Sequence, residues 1–377
     1  MNWTRISVLF ASIASFTQAN IYYAGINEAG AADLALVDHV LVATNQSLPT
    51  GSERSLIINE TTIDYFIDHG VNTFRLAFRM EALAPVQTGL GGPLNDTFFD
   101  MYNGAVEYMS RRGAYVIVDA HNYMRYGSLN STGTDGGSTI GNNSDPKAAT
   151  SEQFGHFWRQ LASRHRYNPN VIFGINNEPH DMPTAMILRN NQAAIDGIRA
   201  AGASQLILAP GNGYTGAQVW TNASVSNNGI SPQYAPSAAY LDELWDPIDN
   251  FAYDIHVYFD YDNSASHAQC VHGVNQLYDA TRWLQQQKAS GFLSEFGGGD
   301  NAHCLSVLNN TISYLESNSE WIGWAIWGAG PSKGPAYFEN IEPGEGMEFN
   351  TTWLQLLEPR IKSSNYLKRF GISNKGG

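Results

Sequence analysis

The sequence is poor in cysteine, in charged residues and in basic residues above all. Only two of 377 residues are cysteines, and charged side chains make up 15% of the chain. Two cysteines without a CxxC spacing exclude a zinc knuckle and a redox dithiol. Lys and Arg number 21 against 35 Asp and Glu, which gives a net charge of −14. An acidic chain without basic clusters is unsuited to nucleic acid or an anionic membrane, so neither is expected as a partner.

Long hydrophobic runs are also absent, apart from a short one at the N-terminus. Residues 1–19 combine the basic Arg5, the apolar segment ISVLFASIASF and the small-residue ending TQA, which is typical of a secretory signal peptide. The apolar segment is too short to span a bilayer. We therefore predict a secreted, extracellular protein in which residues 20–377 form one folded domain.

An extracellular location predicts a disulfide between the two cysteines and glycosylation at N-x-S/T sequons. In an oxidising compartment Cys270 and Cys304 are expected to form a disulfide. After the signal, N-x-S/T sequons begin at Asn45, Asn59, Asn95, Asn130, Asn142, Asn222, Asn309 and Asn350. Eight sequons in a chain with a signal peptide predict a glycosylated eukaryotic protein.

A helical stretch that ends in glycine and leads directly into an apolar run recurs along the chain. TTIDYFIDHG precedes VNTFRLAF, DMYNGAVEYMSRRG precedes AYVIVDA, NQAAIDGIRAAG precedes ASQLILAP, and TRWLQQQKASG precedes FLSEF. IYYAGIN, NVIFGIN, NFAYDIHVY and WIGWAIW complete eight strand candidates. Near-continuous apolar strands between helices predict an α/β fold, a single-domain (β/α)8 TIM barrel. A doubly wound open sheet is the alternative, but no GxGxxG follows the first strand.

Polar and aromatic side chains stand where the predicted strands end, which is where barrel enzymes place their active sites. In chain order they are Arg75, Asp119, His121, Asn122, Tyr123, Asn177, Glu178, His256, Tyr258, Glu295 and Trp327. Each one alone has a structural explanation, such as a surface ion pair or a core histidine. Their accumulation at six strand ends favours a functional site.

Two of these residues, Glu178 and Glu295, follow strands on opposite sides of the predicted barrel mouth. Paired carboxylates are what glycoside hydrolysis requires, one as proton donor and one as nucleophile or base. The donor, Glu178, needs a raised pKa and Glu295 a lowered one. Arg75 is expected to keep Glu295 charged, and Tyr258 to donate a hydrogen bond to it.

The segment IFGINNEPHD resembles the Asn-Glu-Pro signature of glycoside hydrolase family 5, in clan A of the barrel glycosidases. GINEAGA, FRLAF, VDAHNYMRY, HVYFDYDNSASHAQC, SEFGGGDNAHC and IWGAGP resemble, in order and spacing, fungal secreted endo-β-1,4-glucanases over nearly the whole mature chain. The resemblance implies a retaining mechanism with Glu178 as acid/base and Glu295 as nucleophile. It also implies the Cys270–Cys304 bridge.

The same resemblance extends to the substrate-binding residues. It implies this role for Arg75, His121, Asn177, His256, Tyr258 and Trp327, and Asn122 is a further candidate beside His121. Asn177 is expected to hold a sugar 2-hydroxyl, and Trp327 to form the floor under the sugar that is cleaved. The expected substrate is a β-glucan, the expected state a monomer, and neither a cofactor nor a metal is expected.

Two departures from the family pattern affect the choice of glucan. Related endoglucanases often carry an aromatic pair after the AGP motif, where this chain has Ser332 and Lys333, and the segment 127–150 is expected to form a long flexible loop. Glu28, after the first strand, is either a sugar contact or structural.

No stretch of the sequence is expected to form a cellulose-binding module, which favours soluble or amorphous β-glucan. The alternatives are another β-glycan, such as β-mannan, or a non-catalytic glycan-binding barrel, which would not need both glutamates.

Overall fold

A computed structural model describes residues 21–29, 57–127, 136–222, 234–331, 337–344, 347 and 349–363. The predicted signal 1–19, the pair Ser332 and Lys333, and the sequon residues Asn45 and Asn130 lie outside these ranges. Among the described residues, no helix combines the length and the apolar character needed to cross a membrane.

Eight parallel strands close into a barrel, which confirms the predicted fold. The described strands are β1 (Tyr23–Glu28), β2 (Thr73–Phe78), β3 (Tyr115–Ala120), β4 (Arg125–Tyr126), β5 (Ser138–Thr139), β6 (Val171–Gly174), β7 (Ile207–Pro210), β8 (Phe251–Tyr258), β9 (Gly291–Gly297) and β10 (Trp321–Ala329). The barrel runs β1-β2-β3-β6-β7-β8-β9-β10 and closes back onto β1, while β4 and β5 form a separate antiparallel ribbon. Each of the eight predicted runs contains or overlaps one barrel strand.

Helices cover the outside of the barrel. They are α1 (Glu60–Asp68), α2 (Met80–Leu83), α3 (Asp96–Arg111), α4 (Ser151–His165), α5 (Thr184–Ala200), α6 (Tyr278–Gln287), α7 (Ala302–Ser317) and α8 (Glu358–Ser363), the last preceded by a π-helical turn, Thr352–Leu357. Short 3-10 turns occupy Ala217–Val219, Ser237–Ala239, Leu241–Glu243 and Val274–Leu277. Side chains cap several helix starts: Asn59 and Asn95 accept from the backbone of the first turn of α1 and α3, and Thr150 forms a capping box with Gln153.

Two apolar cores lie on opposite sides of the barrel wall. Because side chains alternate along a strand, one small cluster forms inside the barrel from Ile117, Ile172, Leu208, Phe292 and Ala325 together with their neighbours. A much larger cluster fills the layer between strands and helices. The interior cluster closes the barrel from below, so polar side chains from the C-terminal halves of the strands are supported on a packed base.

The segment 127–150 differs from the expected flexible loop wherever the structure describes it. In residues 136–150, β5 pairs with β4, and Ile140 is fully buried. Gly141 donates to the carbonyl of Ala149, and Asn190 on α5 donates to the carbonyl of Ile140. The prediction was wrong for this part because one apolar residue in a polar segment anchors it against the helix layer.

A disulfide joins Cys270 to Cys304, with the two Cα atoms 5.3 Å apart. Cys304 lies in the first turn of α7, and Cys270 lies in the connection between β8 and α6. The predicted bridge is therefore present, and it ties the segment after β8 to the helix after β9.

Candidate active site

A cleft of about 480 Å³ opens at the C-terminal ends of the barrel strands. It is lined by His121, Tyr123, Glu178, Tyr214, Tyr258, Asn263, Ser264, Ala265, Glu295, Trp327 and Tyr337. The structure thus brings six of the eleven candidate residues at the strand ends to one surface. Arg75, Asn177 and His256 lie directly behind it and contact Glu295, His121 and Glu178 respectively.

The two glutamates approach each other across this cleft. Glu178 follows β6 and Glu295 lies on β9, yet one carboxylate oxygen of each lies within 4.8 Å of the other. Retaining glycosidases place their carboxyl groups about 5–5.5 Å apart, whereas inverting enzymes leave about 6.5–9.5 Å for a water molecule. The spacing fits direct attack by one carboxylate.

Glu295 accepts hydrogen bonds from Arg75 and Tyr258. Nη1 of Arg75 donates to Oε1, and the hydroxyl of Tyr258 donates to Oε2 at 2.9 Å. Burial, and next the charge of Glu295, raise the pKa of Tyr258 well above its usual value, so this hydroxyl keeps its proton. The contacts expected from the sequence for Arg75 and Tyr258 are both present.

Arg75 is the centre of a buried polar network. Burial by itself lowers its pKa, but the charges of Asp119, Glu295 and Asp254 outweigh this effect and raise it. The guanidinium donates to Oδ1 of Asn177 at 2.7 Å and lies 3.0 Å from a carboxylate oxygen of Asp119. A permanent cation therefore lies beneath the cleft, among three carboxylates.

Asn27 is a member of this network that sequence reasoning did not single out. Its Oδ1 accepts from Arg75 at 2.9 Å. Its Nδ2 donates to the carbonyl of Ser294 at 2.8 Å and contacts two carbonyls of β10. Asn27 thus links three strands and fixes the guanidinium, and its position at the end of the first strand was the available signal.

Glu178 has the opposite environment. Burial, and next the charge of Glu295, raise its pKa well above the ordinary carboxyl value. Its backbone has a φ of 44°, a left-handed conformation that costs an L-residue about 1–2 kcal/mol. Flanking hydrogen bonds hold it, from Asn177 N to the carbonyl of Ala120 and from Tyr214 N to the carbonyl of Pro179. The side chain keeps 14% exposure, which is enough to reach a ligand in the cleft.

His256 lies between the two glutamates. Its Nδ1 is 2.7 Å from Oε1 of Glu178 and 3.5 Å from Oε2 of Glu295. Burial, and next the positive charge of Arg75, lower its pKa well below the usual histidine value. The imidazole is therefore neutral and carries a single ring proton.

His121 and Trp327 form one wall of the cleft. The two rings stack at a tilt of 22° with centroids 6.0 Å apart. Nδ1 of His121 contacts Asp119 at 2.9 Å, which turns Nε2 toward the amide of Asn177 at 3.3 Å. The indole N–H of Trp327 donates to the hydroxyl of Tyr337 at 2.8 Å.

Tyr337 and Glu339 support this wall from a segment that carried no sequence signal. Tyr337 donates to Oε2 of the buried Glu339 at 2.8 Å. Burial, and next the charge of Glu339, raise the pKa of Tyr337, so its hydroxyl remains a donor. The chain from indole to hydroxyl to carboxylate fixes the plane of Trp327.

Two candidates from the sequence point away from the cleft. Asn122 is buried, and its amide accepts from the backbone of Met80 at 2.7 Å and donates to Glu81 at 2.7 Å. Glu28 is buried on the outer side of β1, where Glu342 is the charged group that acts on it. The geometry makes both residues supports of the fold and gives no sugar-facing role to either.

The remaining walls include aromatic and loop residues that the sequence did not identify. Tyr214 stacks on His180 with centroids 4.1 Å apart. Residues 263–265 are held by the buried carboxylate of Asp260, which accepts from the backbone N–H groups of Ala265, Ser266 and His267. The loop after β8 is therefore an ordered wall of the cleft.

Among the residues that the structure describes, two groups of side chains have the composition of a metal site. One comprises Glu178, His256 and Glu295, and the other Asp260, Asp262 and His267. In the first group, the Arg75 guanidinium already neutralises Glu295 and would repel a cation. In the second, backbone N–H groups already occupy the Asp260 carboxylate. Neither geometry argues for a bound metal.

Comparison with known proteins agrees with this geometry. The model of the family described as cellulase (glycosyl hydrolase family 5) matches residues 40–330. The chain is 41% identical over 374 residues to Endoglucanase 1 of Robillarda sp. (strain Y-20), covering 93% of this chain and 92% of that one.

Solved structures of other proteins are similar to this chain over about nine-tenths of its length. The structure of XacCel5A in complex with cellopentaose has a TM-score of 0.75 and 29% identity, over 90% of this chain and 99% of that one. Cel5A (EG2) from Hypocrea jecorina (Trichoderma reesei) has a TM-score of 0.70 and 29% identity, over 90% and 98%. The barrel, the paired carboxylates and these matches together establish that the chain belongs to glycoside hydrolase family 5, the cellulase family.

Proposed function

We propose that Glu178 and Glu295 are the acid/base and the nucleophile with which this family 5 endo-β-1,4-glucanase hydrolyses internal β-1,4-glucosidic bonds. The observation that carries the proposal is that two carboxylates within 4.8 Å of each other have opposite environments. Burial raises the pKa of Glu178, while the Arg75 guanidinium and the Tyr258 hydroxyl donate hydrogen bonds to Glu295. One group can donate a proton while the other attacks.

In the first step, a carboxylate oxygen of Glu295 attacks the anomeric carbon of the sugar in the cleft. The bond from that carbon to the glycosidic oxygen breaks, and the proton of Glu178 goes to this oxygen. The leaving glucan departs, and the rest of the chain stays bound to Glu295 as a glycosyl ester. The transition state has oxocarbenium character, which the anionic Glu295 stabilises.

In the second step, Glu178 is a carboxylate and acts as a base. It takes a proton from a water molecule, whose oxygen attacks the same anomeric carbon and displaces Glu295. Two inversions at one carbon retain the β configuration, and Glu178 ends in its acid form.

The neighbouring residues support this chemistry in ways that follow from their contacts. His121, fixed by Asp119, and Trp327, fixed by Tyr337, offer a polar edge and an apolar face to the reacting sugar. Asn177 gives one amide hydrogen to His121, and we assign its second hydrogen to the 2-hydroxyl of that sugar at the cleft floor. This contact strengthens as positive charge develops at the anomeric carbon.

The substrate we propose is cellulose in an accessible form, or a mixed-linkage β-glucan. Relatives at 36–41% identity carry the names endoglucanase and endo-β-1,4-glucanase, and XacCel5A binds cellopentaose. Cleavage of internal bonds requires a glucan chain that continues on both sides of the reacting sugar, and the cleft at the barrel mouth is the site we assign to it.

We also propose that the enzyme is secreted, that residues 1–19 are removed, and that the barrel domain begins at Asn20. Mass spectrometry of protein from the medium of a fungal expression host would test this through the mass of the N-terminal peptide. An intact Met1 on the exported protein would contradict it.

The function is tested by measuring reducing-end release from carboxymethylcellulose, barley mixed-linkage glucan, β-mannan, laminarin and xyloglucan. Wild type should cleave the first two, and Glu178→Gln and Glu295→Gln should each lose about a thousandfold or more while they remain folded. NMR of the first product should show the β anomer. Activity centred on β-mannan would keep the two-carboxylate mechanism and overturn the substrate. Folded wild type without activity on any polymer would favour a glycan-binding protein.

A further inference from the structure

A chain of polar side chains leads from the acid/base candidate into the barrel interior. Nδ1 of His256 contacts Oε1 of Glu178 at 2.7 Å, and Nε2 of the same ring contacts the hydroxyl of Ser294 at 2.8 Å. Asp254 lies beside the same two groups: its Oδ1 is 3.8 Å from Nε2 of His256, and the side chain of Ser294 acts to lower its pKa. Glu178, His256, Ser294 and Asp254 therefore form a continuous series.

Asp254 is the inner end of this series and has no place in the two steps described above. It is 2% exposed, and its Oδ1 lies 3.8 Å from Nε2 of His256. Within the described residues, this oxygen has no hydrogen-bond partner. Burying a carboxyl group in this way is costly, so its position calls for a function.

The donors and acceptors in the series can be arranged in only a few ways. The neutral His256 has one ring proton, and the Ser294 hydroxyl has one. An ionised Asp254 can only accept hydrogen bonds, so the Ser294 hydroxyl donates to it. The hydroxyl oxygen of Ser294 then accepts from Nε2–H of His256. Nδ1 then has a lone pair facing Glu178 and accepts from the protonated carboxyl group. When Asp254 is protonated and donates to Ser294, the direction of each hydrogen bond reverses. Ser294 then donates to Nε2 of His256, and Nδ1–H of His256 donates to Glu178, which favours the carboxylate form of Glu178.

We propose that Asp254 is a positioning residue that keeps the transferable proton on Glu178 as the pH rises toward neutral, by fixing the His256 proton on Nε2 through Ser294. The proposal rests on the acid/base role proposed above for Glu178. The negative charge of Asp254 acts in the same direction, because it opposes a second negative charge on Glu178.

The pKa of Asp254 lies in the pH range over which the proposal requires it to ionise. Burial, offset in part by the charge of Arg75 and the Ser294 hydrogen bond, raises its pKa to about 7. As the pH increases, Asp254 thus ionises near neutrality and favours retention of the proton on Glu178. The charged and titratable groups that face this pair are Arg75 on β2, Asp119 and His121 on β3, His256 on β8 and Glu295 on β9.

The test compares two substrates that differ in their need for an acid. Cellopentaose requires protonation of a poor leaving group, whereas 2,4-dinitrophenyl β-cellobioside does not, and kcat/KM for each is measured between pH 4 and pH 9. In Asp254→Asn, the alkaline limb for cellopentaose should move to lower pH by about half a unit to one unit. Activity near pH 5 and the whole profile of the dinitrophenyl substrate should change less than about threefold.

Ser294→Ala should move the same limb in the same direction by a smaller amount, since it breaks the relay and leaves the charge. Asp246→Asn is the matched control, because Asp246 is also a buried aspartate, paired with Arg199 away from the cleft. It should lower thermal stability without moving the limb. Thermal unfolding at each pH confirms that the variants are folded.

The proposal is overturned if the alkaline limb of Asp254→Asn for cellopentaose lies at the same pH as that of wild type. It is also overturned if Ser294→Ala leaves this limb unchanged, because the charge of Asp254 alone would then account for the effect. Glu178→Gln separates this failure from failure of the proposed function. If it loses cellopentaose cleavage but retains the first, glycosylation step with the dinitrophenyl substrate, the acid role holds whatever Asp254 does. If both substrates suffer equally, the acid assignment itself fails.

Discussion

Nη1 of Arg75 donates to Oε1 of Glu295 in an ion pair whose side chains are only 1% and 5% exposed. A buried pair of this kind is costly to break, since the remaining charge stays without compensation. Here the cation also contacts Asn27 and Asn177, so its planar group positions two strands as well as the carboxylate. The relationship is the basis of the first prediction.

Arg75→Lys should lower kcat/KM on cellopentaose by about a hundredfold or more. Lysine keeps the charge but has no planar fork to reach Glu295 and Asn177 together. Steady-state kinetics measures kcat/KM, and unfolding in urea measures the stability of each variant. Retention of activity within about threefold would show that charge alone is sufficient. Arg164→Lys, a surface pair with Asp96, is the control and should be neutral.

Tyr337→Phe should reduce kcat/KM on cellopentaose about fivefold, with a smaller effect on stability. The hydroxyl accepts from the indole of Trp327 and donates to Glu339, and a lost hydrogen bond of this kind corresponds to about 1 kcal/mol. Tyr108→Phe removes a hydroxyl that donates to Asp64 away from the cleft. If both variants lose activity equally, the support of Trp327 is not the cause.

Glu28→Gln should stabilise the protein more at pH 8 than at pH 4. Burial, and next the charge of Glu342, raise the pKa of Glu28 well above its ordinary value. The folded state therefore keeps a proton that the unfolded chain releases above about pH 4.5, so stability is greatest below that pH and falls as the pH rises. Tm measured across this range checks the sign. The exposed Glu243→Gln should show no such trend, and a pH-independent difference for Glu28→Gln would contradict the prediction.

Replacing Cys270 and Cys304 together with alanine should lower the free energy of unfolding by about 3–4 kcal/mol. The bridge closes a loop of 34 residues and limits the unfolded chain. Urea unfolding of wild type and variant, with and without reductant, measures the loss. Reductant should lower the stability of wild type only. Equal stability of the two proteins without reductant would mean that native packing alone holds the connection after β8.

The sequence determined the barrel because the signal repeats. Four strands are apolar runs that follow a helical stretch ending in glycine, four further apolar runs complete the set, and eight such runs leave few other ways to bury both faces of a sheet. Glu178, Glu295, Arg75 and Tyr258 were identifiable for a related reason: polar residues at the ends of buried strands have few structural explanations when they accumulate.

Asn122 shows where this reasoning ends. It follows a strand end beside His121, as a sugar contact would, but its side chain turns to Met80 and Glu81. Tyr214, Tyr337 and Glu339 were missed because they lie in connections without periodicity. In such segments, side-chain direction depends on backbone torsions that no local pattern specifies.

The sequence by itself thus determined the strands, the two carboxylates and the cysteine pair, because each is set by local pattern or by residue type. Only the tertiary structure decided that the two carboxylates differ. The raised pKa of Glu178 and the hydrogen bonds that Glu295 accepts depend on burial and on Arg75, Tyr258 and His256. These neighbours come from separate strands, and ring closure of the barrel is what brings them within hydrogen-bonding distance.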